Sequence, residues 1–429
     1  MKKNLIFICS FIILIFLFSA TALASEYKSE VSVGLLYGEE AGNSVNVSSQ
    51  GGFDVFDAAI GTLLYSAQPG EEIDILMGST GFASLEKFDA SGIAKISVQP
   101  REGATIFCNK REYRGYIYLE RTQKGELLVI NYVGTDDYVT SVLGKEMSYS
   151  WPIEALKAQA VCARNFVLCR GNAHKEYGFD VCTTTHCQVY GGVLSEHENT
   201  RRATEETKGV LAKYNGKIVP LYFFATSGGY TENAENVWTN AQGYLKAVSD
   251  PYENPQKASK YAWNESRTKE EIEEKLASLG VLSGSLTNIT VDKVSESGRV
   301  TEMTFHMTGG KHTVRNEKCR TILGLYSQKF TVLPDSVKTL ATTAGTANAP
   351  YYVCTDGGVK TLSGYSVISG DGKITKLSVN SGGAQGYSIS GGGYGHGVGM
   401  SQWGARGMAE NGFTYEEILT HYFTDIELG

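Results

Sequence analysis

Residues Thr135–Cys169, "TDDYVTSVLGKEMSYSWPIEALKAQAVCARNFVLC", read as two consecutive helices placed after a long run of strands. Asp136 or Asp137 caps the first, and Val139, Val142 and Leu143 fall on one apolar face. Glu146 lies seven, four and three residues beyond them, so a carboxylate projects where an apolar side chain is expected. Two explanations stand. Gly144 ends the helix a turn early and Glu146 turns to solvent, or the surroundings of Glu146 raise its pKa and make it a general acid near neutral pH. Trp151-Pro152 starts the second helix, with Pro at the first helical position and Glu154 in the first turn. Ile153, Leu156, Ala160, Ala163 and Val167 form its core stripe, mostly small side chains that permit close helix packing. Lys157 and Arg164, seven apart, project from one side, either as solvated cations or as a pair facing a common ligand.

Upstream, from Val31 to about Val133, segments such as "VSVGLLYG", "KISVQP", "GYIYLER" and "GELLVINYV" alternate in the manner of antiparallel strands broken by glycine. Downstream comes a mixed region with "GKIVPLYFFATSGGYTE", a helix near Thr268 to Leu279, and strands around "GRVTEMTFHM". A low-complexity stretch, "LATTAGTANAP", and a Gly/Ser-punctuated hairpin region run to Ser390. The loop "GGGYGHGVGMSQWGARGMAENG" (Gly391–Gly412) feeds a helix from Ser401 to Asn411, and Thr414-x-x-Glu417 is a capping box for a last helix. No repeat of fixed period is present. The expected class is α+β, with helices segregated from antiparallel strands. The expected divisions are 1–24, a β-rich 25–112, a core at 113–340, a linker with an inserted β region at 341–390, and 391–429 completing the core.

At 429 residues and 42% hydrophobic content, the chain is large enough for two or three domains. Lys2 and Lys3 precede an apolar run, Leu5 to Phe18, followed by Ala22-Leu23-Ala24, which reads as a signal peptide cleaved after Ala24. The run is about 14 residues, short of the roughly 20 needed to span a bilayer, and an uncleaved anchor is the alternative. Either way the protein is expected outside the cytoplasm, secreted or anchored at the cell envelope. A net charge of −7 with scattered cations offers no stripe for phosphates, which argues against nucleic acid as a partner. The 25 tyrosines suit sugars and β-sheet surfaces equally.

Without Cys9 of the leader, seven cysteines remain, so at least one is unpaired or metal-bound. "DVCTTTHCQVYGG" groups Cys182, His186 and Cys187, with His174 upstream in "NAHKEYG". Two thiolates and two imidazoles suit tetrahedral zinc, and a closed four-ligand site would be structural. In an exported protein a Cys182–Cys187 disulfide is the competing assignment. Cys162 and Cys169 lie about 10 Å apart along a helix, too far to bridge, and read as buried small hydrophobes. Ser401 is no nucleophile elbow, because Trp403 stands where a glycine is needed. "GYGHGVG" lacks the dinucleotide-binding spacing.

Three blocks, "DDYVTSVLGKEMSYSWPIEALKAQAVCARNF", "ATSGGYTENAENVW" and "GYGHGVGMSQWGARGMAENGFTYEEIL", resemble the marks of the stage II sporulation protein D family (SpoIID/LytB domain). They occur in the family's order, and the similarity spans roughly Tyr113 to Phe423. The resemblance implies a lytic transglycosylase acting on peptidoglycan glycan strands already stripped of stem peptides, with a cell-wall amidase and membrane sporulation proteins as possible partners. It implies Glu146 as catalytic acid. It also makes Lys157, Arg164, Ser227, Gly228, Gly229, Tyr230, His396 and Gln402 candidate substrate-binding residues. For His396, direct chemistry and mere loop packing both remain open. Some members carry structural zinc, which would map to His174, Cys182, His186 and Cys187. The rival implication, from the amidase-enhancer branch, is a wall-binding protein without catalysis of its own.

Overall fold

The computed structural model describes residues 28–38, 41–84, 87–171, 173–335 and 385–429, with four short strands between 353 and 376. The leader at 1–24, the low-complexity stretch and the side chain of Cys354 lie outside the described residues. The four short strands form two hairpins, Val353–Thr355 with Gly358–Lys360 and Ser366–Ile368 with Ile374–Lys376.

The architecture is α+β, in two compact units. The first comprises Met1–Leu221, Thr414–Glu416 and Ile426–Gly429. Its larger sheet runs, in spatial order, Val181–Cys182, Glu30–Leu36, Leu127–Gly134, Tyr116–Arg121, Lys95–Pro100, Phe53–Asp57 and Leu63–Ala67. Every pairing is antiparallel except the edge, where Val181–Cys182 runs parallel to Glu30–Leu36. A second, six-stranded sheet includes Ser44–Ser48 and Glu72–Met77. Period-two burial is plain there: Val45, Val47, Ile73 and Ile75 are inside while their neighbours are not.

Helix α1 (Thr135–Glu146) follows directly from the strand Leu127–Gly134. Gly134 holds the cap position without a side-chain bond, whereas Asp136 and Asp137 sit in the first turn, where their charge favours the positive helix end. Pro152 likewise occupies the cap position of α2 (Ile153–Cys169) rather than its first turn. From Ala155 to Val167 every residue of α2 except Lys157 is buried, so the helix is enclosed on all sides and not along one stripe. Its short side chains make that possible. Cys162 is buried as expected, but Cys169, at the helix end, is exposed. Helix α3 (Glu198–Glu206) packs against both.

The second unit comprises Tyr222–Phe413 and Glu417–Asp425. Two three-stranded antiparallel sheets, one holding Trp263–Thr268, Gly386–Gly391 and Phe330–Pro334 and the other Leu286–Val294, Val300–Met307 and Gly310–Arg315, share a core with Ile272 and Leu276. The short helix α4 (Glu235–Trp238) precedes α5 (Lys269–Ser278), which starts in a capping box of Thr268 and Glu271. Next come α6 (Lys318–Thr321) and α7 (Gln402–Glu410), the latter capped by the Ser401 hydroxyl accepting from the Gly404 N–H. Tyr415 and Glu416 of α8 (Tyr415–Tyr422) belong to the first unit and the rest to the second.

The division at Leu221 falls inside the span 113–340 expected as one core, and the β-rich 25–112 shares a unit with the helices that follow it. Hydrophobic patterning locates elements but carries no record of which distant strands pair. Among the described residues no helix is long and apolar enough to cross a membrane.

Candidate functional site

In the first unit, α1 does not stop at Gly144. A Cβ there would lie 1.8 Å from the carbonyl oxygen of Ser195, so glycine serves close approach of the 192–195 segment. That segment and the residues before it are bonded to the helix: the Ser141 hydroxyl donates to the Gly192 carbonyl (3.0 Å), and Tyr138 donates to Gln188 Oε1 (3.2 Å). Tyr138, Val139, Val142 and Leu143 are all completely buried. Glu146 is the last residue of this immobilised helix and is half-buried. Burial pushes the Tyr138 phenol well above its ordinary range, and the charges of Cys187, Tyr190, Cys182 and Glu146 add to the effect.

Lys157 and Arg164 do not share a surface. Lys157 pairs with Glu154 and Glu206, each at 2.7 Å, and its ammonium lies 5.8 Å from the Tyr415 ring centre. Arg164 is fully buried, paired with Asp136 at 3.0 Å and donating to the Thr204 carbonyl at 3.3 Å. Its guanidinium ties α2 to the first turn of α1, a positioning role where a ligand contact was expected. Seven residues is close to two helical turns, but along that side Arg164 is sealed inside while Lys157, nearer the helix start, stays at the edge.

His174, Cys182, His186 and Cys187 converge, their ligand atoms all within 4.8 Å of one another. Cys187 Sγ lies 3.5 Å from His174 Nε2 and 3.5 Å from His186 Nδ1, and Cys182 Sγ lies 3.8 Å from His186 Nδ1. Zinc bonds of about 2.3 Å to sulfur and about 2.0 Å to nitrogen fit between donors spaced in this way. Both cysteines are free thiols. Burial raises the Cys182 thiol, but bonds from Thr184, His186 and Cys187 outweigh that and bring it down to about 6. Cys187 is driven upward, chiefly by burial. The donor set thus suits a closed metal site beside Tyr138.

The second unit holds the other candidates. Gly228 and Gly229 have φ of +69° and +99°, conformations that favour glycine. The resulting concave backbone is already filled by the protein's own carboxylate. The Ser227 N–H donates to Glu253 Oε1 (2.5 Å), the Gly228 N–H donates to Oε2 (2.9 Å), and the Ser401 hydroxyl donates to Oε1 (2.5 Å). The Ser227 hydroxyl accepts from the Gly229 N–H. Of this turn, Tyr230 is the exposed member. Beneath it Arg299, completely buried, donates to the carbonyls of Ser227 (2.9 Å) and Tyr230 (3.2 Å). Asp250 is buried beside Glu253, and its carboxyl is raised to about 7, first by burial and then by the Glu253 charge.

His396 is wedged beside Trp238 (5.1 Å between centroids) and Phe224 (5.5 Å). Its Nδ1 accepts from the Val398 N–H (3.1 Å), and it bonds the Phe223 backbone. Burial, with the Arg320 and Arg299 charges, lowers it to about 3, so the ring is neutral at physiological pH and braces the glycine loop. Gln402 is buried in the first turn of α7. Sequence reasoning missed the Asp250, Glu253 and Arg299 cluster. Its only trace is the carboxylate pair three apart in "DPYE", a spacing common on solvated surfaces.

A sequence model of the SpoIID family, described as "Stage II sporulation protein", matches residues 123–214, which include α1, α2, α3 and the Cys/His cluster. An uncharacterized protein of Brachyspira hyodysenteriae is 29% identical over 89% of this chain and 89% of its own length. The amidase enhancer of Bacillus subtilis is 33% identical over 66% of this chain, but the match covers 39% of that longer protein. Stage II sporulation protein D of B. subtilis is 28% identical over 68% of this chain and 74% of its own length. These sequence similarities support a role in sporulation or the cell wall. Residues 123–214 thus carry the SpoIID family's domain, and the chain is similar to stage II sporulation protein D over about two thirds of its length.

Proposed function

We propose that the protein is an exported lytic transglycosylase that cleaves peptide-free peptidoglycan glycan strands. The observation that carries this is the placing of Glu146: a half-buried carboxylate at the end of a helix whose preceding turns are buried and bonded in place. As acid, Glu146 protonates the glycosidic oxygen while the bond to C1 breaks. As carboxylate, it then takes the proton from the C6 hydroxyl of the same sugar, whose oxygen closes onto C1 as a 1,6-anhydro ring. The proton is returned and no water is consumed, so the second carboxylate of a glycoside hydrolase is not needed.

The Cys/His cluster would hold one structural zinc ion, which cross-links the 174–187 segment. The segment just beyond it, at Gln188 and Gly192, bonds α1. Digestion of denuded glycan strands, followed by mass spectrometry of the new ends, tests the activity: anhydro ends support it, and ends carrying added water refute it. The similarity to an amidase enhancer favours a second reading, stimulation of a separate amidase without cleavage. Intact strands together with faster peptide removal by an added amidase would select that reading.

A further inference from the structure

A strip of tyrosines borders the Ser227–Gly229 turn in the second unit. Tyr394 is 45% exposed and Tyr230 is 38% exposed, while Tyr261 and Tyr326 are half-buried. Tyr394 meets Tyr326 edge-on at 5.6 Å, and Tyr326 meets Trp263 edge-on at 5.6 Å. Over the Tyr326 ring, 4.0 Å from its centre, lies the ammonium of Lys260. The carboxylate that acts on Lys260, Glu265, bonds the Tyr326 hydroxyl and is paired with Arg267 at 3.2 Å, so its charge is shared with a second cation.

The floor under these groups is rigid. Lys260 has φ of +58°, a left-handed conformation uncommon outside glycine, and its carbonyl accepts from the Gly393 N–H (2.8 Å). The Trp263 indole donates to the Gly393 carbonyl (2.9 Å), and the backbones of Thr226 and Tyr394 exchange two hydrogen bonds (3.1 and 2.7 Å). Rings and cation are therefore pre-positioned, which lowers the ordering cost of binding.

The exposed phenol rings of Tyr230 and Tyr394 suit the flat faces of pyranose sugars, but alone they would not tell one N-acetylated sugar from another. The cation supplies a distinction. A muramyl residue carries a lactyl carboxylate that is free only after the stem peptide has been removed; in intact peptidoglycan it is an amide, and chitin has none. We propose that Lys260, with Tyr326 and Tyr394, forms a subsite for the free lactyl carboxylate of a muramyl residue, so that this unit selects peptide-free glycan. The proposal rests on the glycan-cleaving reading above and names the feature of the substrate that is recognised.

Binding is measured with the full chain carrying Glu146→Gln, against denuded strands, strands retaining stem peptides, and chitin oligomers of equal length. An exposed ion pair predicts a preference of about twofold to fivefold for denuded strands. That preference should shrink as salt is added. With Lys260→Gln added, denuded strands should bind only as well as chitin, and Tyr394→Ala should weaken all three. Equal binding of the three glycans at low salt, absence of binding, or a preference that survives Lys260→Gln would overturn the subsite. Cleavage by the protein with Glu146 intact is read separately. Cleavage without preference refutes the subsite alone, and preference without cleavage refutes the transglycosylase alone.

Discussion

Glu146→Gln keeps the shape of the side chain but removes the proton that a general acid must deliver. Release of anhydro ends is expected to fall by about a hundredfold or more, with the melting temperature and circular dichroism unchanged; anhydro ends formed at the normal rate would reject the assignment. The position was legible because a carboxylate interrupts an apolar face at helical spacing. The surroundings of the nearby cations were not. Arg164 stands in phase with Lys157, and only the packed structure shows that its guanidinium is sealed inside on Asp136 while Lys157 bridges Glu154 and Glu206 at the edge. For His396 the sequence left direct chemistry and loop packing open, and the structure adds that burial and a backbone bond keep the ring neutral within the glycine loop.

For elements, Gly144 gives the sharpest test. By helix propensity alone, Gly144→Ala should stabilise α1 by about 1 kcal/mol. Contact with the Ser195 carbonyl predicts the opposite sign, because a methyl group 1.8 Å from that oxygen forces the 192–195 segment away from the helix. Chemical denaturation should therefore show a lower midpoint, and a raised one would reject the contact. The Cys/His segment makes a second prediction. Metal analysis of the purified protein should find about one zinc ion per chain, lost together with thermal stability when Cys182 and Cys187 are replaced by Ser. A Cys182–Cys187 disulfide in metal-free protein would refute it. Here the sequence named all four donors, and the tertiary structure places their ligand atoms within 4.8 Å of one another.

Across the whole molecule, Asp250 and His396 of the second unit link stability to pH. The Asp250 carboxyl stands at about 7 against an ordinary 3.8, so the folded state holds its proton more tightly than the unfolded chain does. The stability this contributes is complete below about pH 4 and is lost as pH rises to about 7. His396 acts in the other direction: its value of about 3 against 6.5 means that stability is lost as pH falls below 6.5. Asp250→Asn removes only the first effect. The melting temperature of that variant relative to the unmodified protein should climb from pH 4 to pH 7 and then level off; a flat difference would show that Asp250 is not buried as described. The α+β class, the two central helices, the helices near Thr268 and Ser401 and the Cys/His grouping all follow from local spacing, because hydrogen bonding and side-chain periodicity within a few residues select them. The division at Leu221, the enclosure of α2 and the Glu253 carboxylate in the Ser227–Gly228 turn depend on groups tens to more than a hundred residues apart. Only packing brings such groups together, since burial and desolvation are properties of the assembled core, to which no single stretch of chain bears witness.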